Sequence, residues 1–219
     1  MTDNQVDVVI IDTGCANLNS VRFAFERLGA RVLVSSDKDV LQQAPRLVLP
    51  GVGTAAAAMA AIEAKGLTDI IRGLKQPVLG VCLGMQLLCK SSREQGAGEK
   101  DVPCLGLIPL DIVELDSAGQ PLPHMGWNQL SPGAHPLFAG ISQGDYVYFV
   151  HSFCAPVSKF SLAESDYGQP FSAAIGKGNF MGVQFHPEKS GPVGARILKN
   201  FLALTVATLP QDAGQESNA

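Results

Sequence analysis

The stretch Pro77-Val78-Leu79-Gly80-Val81-Cys82-Leu83-Gly84-Met85-Gln86 decides how the rest of the chain is read. Pro77 to Val81 is a short apolar run, as a strand buried on both faces requires, and a helical pattern follows at once from Leu83 to about Lys90. They meet in Gly80-Val81-Cys82-Leu83-Gly84, the cysteine counterpart of the Gly-x-Ser-x-Gly nucleophile elbow. A sharp strand-to-helix turn pushes its central side chain outward, and Cβ atoms two residues away on either side would collide. Glycine at both places removes the collision. The helix that follows offers backbone N–H groups and the positive end of its dipole to a thiolate on Cys82. The Leu83 N–H would then lie beside the oxyanion formed when that sulfur attacks a carbonyl. The competing reading is a small core cysteine, because free cysteine is among the most buried residue types. That reading is kept for Cys15, Cys89, Cys104 and Cys154, with Cys89 expected two turns down the same helix and facing the core.

Upstream the strand–helix alternation repeats. Val8 to Ile11 is a continuous apolar strand, and Asn17 can cap a helix that carries Leu18, Val21, Phe25 and Leu28 and stops at Gly29. Arg31 to Val34 reads as a second strand, Asp37 to Ala44 as a capped helix and Arg46 to Leu49 as a third strand. Gly51-Val52-Gly53-Thr54 leads into an Ala-rich helix ending at Lys65, with a shorter helix from Leu67 to Leu74. Successive strand–helix units of this kind build a parallel sheet with helices on its faces. Past Ser91 the pattern changes, with dense glycine and proline between the apolar runs Leu107 to Leu115, Tyr146 to Val150, Phe171 to Ile175 and Phe180 to Phe185. These predict partly antiparallel strands, with a hairpin across Gly176-Lys177-Gly178-Asn179. A closing helix runs from about Pro192 to Ala207, with Ile197, Phe201 and Leu204 on one side. The expectation is a single α/β domain over residues 1–208, with a mixed, mostly parallel sheet flanked by helices, and a frayed polar tail over 209–219.

Composition narrows the function classes. Hydrophobic residues make up 46% of the 219 and charged residues 16%, which excludes global disorder. Sixteen Lys+Arg against twenty Asp+Glu give a net charge of −4 with no basic run, so no nucleic-acid partner is expected. The N-terminus is acidic and polar, and the longest apolar runs fall short of the ~20 residues that span a bilayer; neither export nor a membrane is expected. The five cysteines form no Cys-x-x-Cys pair, which fits neither a disulfide framework nor a zinc site and places the chain in a reducing cytoplasm. No Gly-Lys-Ser/Thr follows Gly51-Val52-Gly53, and no Gly-x-Gly-x-x-Gly follows the first strand. No cofactor or metal is expected.

A thiol nucleophile needs a base, and there are four histidines. His135 precedes a proline in a polar loop and reads as a surface residue. His124, in Pro123-His124-Met125-Gly126-Trp127-Asn128, has no evident role. His151 ends the strand from Tyr146 and is a rival base. His186 ends the strand Gly182-Val183-Gln184-Phe185 and is followed by Pro187-Glu188. An extended segment puts residues i and i+2 on one side, so Glu188 can accept a hydrogen bond from the imidazole and orient it. Ligands in such sheets collect at the carboxyl ends of strands. Backbone N–H groups of Val52 or Gly53, after the third strand, can therefore complete an oxyanion hole with Leu83; a plain turn is the alternative there.

Together Gly80–Gln86, Gln184-Phe185-His186-Pro187-Glu188 and Pro50-Gly51-Val52-Gly53 resemble the three signatures of class I (triad) glutamine amidotransferases, whose fold is flavodoxin-like. The resemblance runs from about Val8 to Leu202. Asp12–Ser20, Pro123–Asn128 and Tyr148–Ser152 are further similar to segments of the glutaminase subunits that serve histidine biosynthesis. The resemblance implies Cys82 as nucleophile, His186 as base and acid, and Glu188 as the orienting carboxylate. It implies L-glutamine held by Gly51, Val52, Gly53, Leu83, Gln86, Ser152 and Phe153, where position 153 usually carries tyrosine. The implied partner is a (β/α)₈-barrel cyclase subunit. It receives the ammonia internally and forms imidazole glycerol phosphate and an aminoimidazole carboxamide ribotide. Trp127 with its neighbours, and the Asn17 region, are candidate interface positions, a core Trp127 being the alternative. A glutaminase for another synthase and an inactive regulatory subunit are the rival functions.

Overall fold

The structure, a computed structural model, describes residues 6–14, 18–94 and 101–209. Cys15, the expected Asn17 cap and the tail from Pro210 lie outside the described residues. In chain order the first half is β1 (Val8–Ile11), α1 (Leu18–Arg27), β2 (Val32–Ser35), α2 (Lys38–Gln43), β3 (Leu47–Gly51), α3 (Ala55–Ala64), α4 (Thr68–Gly73), β4 (Val78–Cys82) and α5 (Leu83–Leu87). The second half is β5 (Cys89–Ser92), β6 (Val102–Pro103), β7 (Ile108–Glu114), β8 (His124–Gln129), β9 (Ser131–Pro132), β10 (Tyr146–His151), β11 (Phe153–Cys154), β12 (Ser161–Asp166), β13 (Pro170–Lys177), β14 (Phe180–Val183) and α6 (Gly191–Ala203).

One sheet in the order β2-β1-β3-β4-β14-β13-β12-β9 forms the centre. Its first five strands are parallel and its last three antiparallel, so the expected mixed sheet is present. The alternation along each strand sorts the core into two layers. Val8, Ile10, Leu79 and Val81 face α1 and α6 through Val21, Phe25, Ile197 and Phe201. Val9, Ile11 and Val78 face α2 to α5 through Leu41, Ile62, Ile71 and Met85. Burying both faces is what makes these strands unbroken apolar runs. The predicted hairpin forms between β13 and β14, with Lys177 opposite Phe180 and Gly178 at φ 58°, where a Cβ would be strained.

Two element boundaries differ from the sequence reading. The helix after Cys82 ends at Leu87, and Cys89 begins β5. The carbonyls of Leu87 and Leu88 accept N–H groups of Leu105, Leu107 and Ile108, and β5 runs parallel to β7. Pairing to a distant strand overrides a short helical pattern, so Cys89 is buried as expected but on a strand. The closing helix stops at Ala203, because Leu204 is extended and Thr205 opens a separate turn at Val206–Thr208.

Register positions the site. Gly51 lies opposite Cys82 across β3–β4, and Val183 opposite Val81 across β14–β4. The carboxyl ends of β3, β4 and β14 therefore converge, carrying the Gly51 loop, the elbow and the Gln184–Glu188 segment.

Candidate active site

Cys82 has φ 53° and ψ −112°, a left-handed conformation unusual for a residue with a side chain. Such strain costs on the order of 1–3 kcal/mol and persists only where the surroundings enforce it. Here close packing enforces it. A Cβ on Gly80 would sit 2.6 Å from the Gly84 carbonyl oxygen, and one on Gly84 would overlap the Leu49 carbonyl. The thiol is half-buried, with Sγ 3.7 Å from the Val150 carbonyl that accepts its hydrogen.

His186 Nδ1 lies 2.9 Å from Glu188 Oε1, and both side chains are largely buried. The carboxylate accepts, so the Nδ1 proton is held there and Nε2 is left for the thiol. Burial pulls the imidazole down, but hydrogen bonds to Cys82 and Glu188 and their charges outweigh it and hold His186 up to about 9. The segment is not simply extended, as the sequence reading had it. His186 is extended at φ −97°, but Pro187–Lys189 turns into a single 3₁₀ turn, closed by the Lys189 N–H on the His186 carbonyl. Proline at the first position of a turn loses no needed donor. Ser190, missed by the sequence reading, anchors this turn: its hydroxyl donates to the His186 carbonyl at 2.7 Å and accepts the Tyr148 N–H at 2.9 Å.

The expected glutamine-contact residues fall around this pair. Gly51 abuts the elbow, where a Cβ would come 2.7 Å from the Gly84 nitrogen, and Val52 and Gly53 stand exposed beside it. Gln86 is buried and donates from Nε2 to the Phe153 carbonyl at 3.1 Å and to Gln184 Oε1 at 3.0 Å. The Phe153 contact is a main-chain one, and a missing tyrosine hydroxyl removes nothing from it. Half-buried Ser152 accepts the Leu115 N–H on its carbonyl. Gln184, also missed, is fully buried and donates to Cys82 Sγ at 3.8 Å. The available signal was its place two residues before His186 in the segment that follows β14.

The rival base, His151, is engaged elsewhere: its Nδ1 bonds the Phe153 carbonyl and its Nε2 meets His124. His135 is not a free surface residue. It is half-buried, and its Nδ1 accepts the Leu137 N–H at the start of a 3₁₀ turn. Trp127 is 54% exposed and Met125 62%, so the surface reading of Trp127 holds. Among the described residues no group of His, Cys, Asp or Glu is arranged to hold a metal, and no helix is long and apolar enough to cross a membrane.

The histidines make a testable signature in stability. Burial drives His124 down to about 4 and His151 to about 3. In the unfolded chain each takes a proton near pH 6.5, so between about 6.5 and 4 the unfolded state binds more protons and stability falls as pH drops. His186 has the opposite sign: its contribution is full below about 6.5 and is lost as pH rises through about 9. Urea unfolding is expected to be hardest near neutral pH, falling on the acid side by up to about 1.4 kcal/mol per pH unit per histidine. His124→Phe should flatten that acid slope. A wild-type midpoint unchanged between pH 6.5 and 4.5 would contradict the buried neutral pair.

A fold that seats a cysteine on a strand–helix elbow, with a carboxylate-bound imidazole just past the neighbouring strand, is that of a triad hydrolase with a thiol nucleophile. The model of the family "Glutamine amidotransferase class-I" matches residues 9–204. "Imidazole glycerol phosphate synthase subunit HisH" of Shewanella sediminis is 62% identical over 94% of this chain and 95% of its own length. The HisH subunit of Vibrio cholerae is 53% identical over 93% of this chain and 100% of its own length. The crystal structure of a glutamine amidotransferase shares the fold at a TM-score of 0.67 and 19% identity, over 89% of this chain and 97% of that one. The chain belongs to the class I glutamine amidotransferase family and, within it, to the HisH subunits.

Proposed function

We infer that this chain is the glutaminase subunit of an imidazole glycerol phosphate synthase, hydrolysing L-glutamine and passing the ammonia to a (β/α)₈-barrel cyclase subunit. The observation that carries the chemistry is the His186–Glu188 pair at 2.9 Å, held against a strained Cys82. His186 Nε2 takes the Cys82 proton, and the thiolate attacks the side-chain amide carbon of glutamine. N–H groups of Leu83 and of Val52 or Gly53 meet the oxyanion. Its collapse breaks the C–N bond, His186 returns the proton to the leaving ammonia, and a thioester remains on Cys82. Water, deprotonated by His186, attacks the thioester; glutamate leaves and the thiol is restored. Gly51, Gln86, Ser152 and Phe153 hold the substrate.

Ammonia released to water at neutral pH becomes ammonium, a poor nucleophile, so internal transfer suits the chemistry. Exposed Met125, Trp127 and Tyr146 on β8 and β10 support a partner surface there. The relatives are named as subunits of a synthase, which supports the cyclase partner over a rival synthase. A biosynthetic role and free cysteines fit the cytoplasm. Glutamate release is to be measured with the chain alone and then with the cyclase subunit and its nucleotide ligand. Strong release only in the complex is expected. Equal release in both would keep the glutaminase and refute the coupled partner.

A further inference from the structure

Across β8 and β10 the described residues hold a second buried polar cluster that the reaction does not use. His124 on β8 and His151 on β10 are direct cross-strand partners, 3% and 6% exposed, with His124 Nδ1 3.0 Å from His151 Nε2. His124 is stacked on Phe149 and Tyr167, with ring centroids 4.9 and 4.0 Å away. Donor accounting fixes both tautomers. The Phe153 carbonyl can only accept, so His151 carries its proton on Nδ1, 2.9 Å away. His151 Nε2 must then accept from His124 Nδ1. His124 Nε2 accepts in turn from Asn128 Nδ2 at 3.3 Å, the amide that also donates to the Asp166 carbonyl at 2.7 Å. Every bond points one way, and the chain ends on the carbonyl that Gln86 also donates to.

Two aromatic hydrocarbons would fill this space with no polar groups to satisfy, so the imidazoles need a reason. We propose that the His124–His151 pair is a positioning element for the substrate, aiming the Phe153 carbonyl at Gln86 and thereby setting the wall of the glutamine pocket. Neither imidazole hydrogen-bonds Cys82 or His186. The proposal rests on the reading that Gln86 and Phe153 line that pocket. Two donors on one carbonyl define its direction, and Gln86 shares its amide between Phe153 and Gln184, the residue on Cys82 Sγ.

The test uses the full chain with the cyclase subunit and two cysteine reagents. 6-Diazo-5-oxo-L-norleucine has the shape of glutamine and needs the pocket; iodoacetamide needs only an accessible thiol. His151→Leu removes the donor, His151→Asn keeps one near the Nδ1 position, and His124→Phe keeps the stacking but leaves His151 Nε2 without a donor. His151→Leu is expected to need about tenfold more diazo reagent for half-maximal labelling of Cys82, with the iodoacetamide rate within about twofold. KM for glutamine should rise with it while kcat changes little, and His151→Asn should recover most of both. Unchanged diazo labelling in His151→Leu, equal slowing of both reagents, or no recovery in His151→Asn overturns the proposal. If His151→Leu does not fold, His124→Phe is judged by the same criteria. A wild-type chain that iodoacetamide labels and the diazo reagent does not would refute the glutaminase reading itself.

Discussion

Cys82→Ala is expected to reduce glutamate release by about 10⁴-fold or more while leaving a folded chain. The sulfur is the only atom at the elbow able to form the thioester, and no neighbouring side chain can replace it. Gln184 can donate to Sγ but has no nucleophilic atom, and the Val150 carbonyl only accepts. The loss should be non-additive. His186→Ala placed on Cys82→Ala should cost little more, because the imidazole acts only through the thiol and the groups derived from it. Stability separates from activity at this position. Alanine keeps the Cβ and so keeps the strain at φ 53°, whereas glycine relieves it. Both variants should be inactive, with Cys82→Gly unfolding later in urea than Cys82→Ala. A coupled assay for glutamate together with urea midpoints checks both statements. Residual activity within tenfold of wild type in Cys82→Ala would end the thioester mechanism.

Gly84→Ala should be among the most destructive single-methyl changes at the described glycines. The added Cβ would overlap the backbone carbonyl of Leu49, and neither side of that clash is a flexible side chain. Leu49 lies in β3, hydrogen-bonded between β1 and β4 at the centre of the sheet. The methyl can be accommodated only by lifting α5 off β3, which also moves Cys82 and the Leu83 N–H. A loss of about 3 kcal/mol or more is expected, which is roughly 6–12 °C in Tm for a chain of this size. The control is Gly73→Ala at the end of α4, where a Cβ meets nothing within 4 Å. That change should be neutral or stabilising by up to about 1 kcal/mol. Thermal melts of the two variants decide the matter; a Gly84→Ala protein melting with wild type would mean the elbow is looser than its packing indicates.

Much of this fold was legible in the sequence because the deciding constraints are local. Strands buried on both faces must be continuous apolar runs, and Val8–Ile11, Leu47–Leu49 and Val78–Val81 are such runs. Asp37 and Thr54 start their helices by accepting backbone N–H groups, as their residue types suggest. The strand at Cys89 was not legible, because Cys89-Lys90-Ser91-Ser92 has no strand pattern of its own and becomes extended only by pairing with β7.

The candidate site divides along the same line. By itself the sequence determined the Gly-x-Cys-x-Gly elbow and the closeness of His186 to Glu188, since each depends on residues two apart along the chain. Tertiary structure decided what engages the rival histidine. His151 was a rival in the sequence, where Glu188 favoured His186; the β8–β10 register sets His151 opposite His124, and the join between β10 and β11 puts its Nδ1 on the Phe153 carbonyl. Tertiary structure also decided that Phe153 meets Gln86 through its backbone and that Gln184 reaches the sulfur from just past β14. Those contacts link residues 67, 98 and 102 positions apart, as Gln86–Phe153, Gln86–Gln184 and Cys82–Gln184. Sequence patterns carry the geometry of neighbours along the chain; a hydrogen bond across such distances exists only once strand register has closed it.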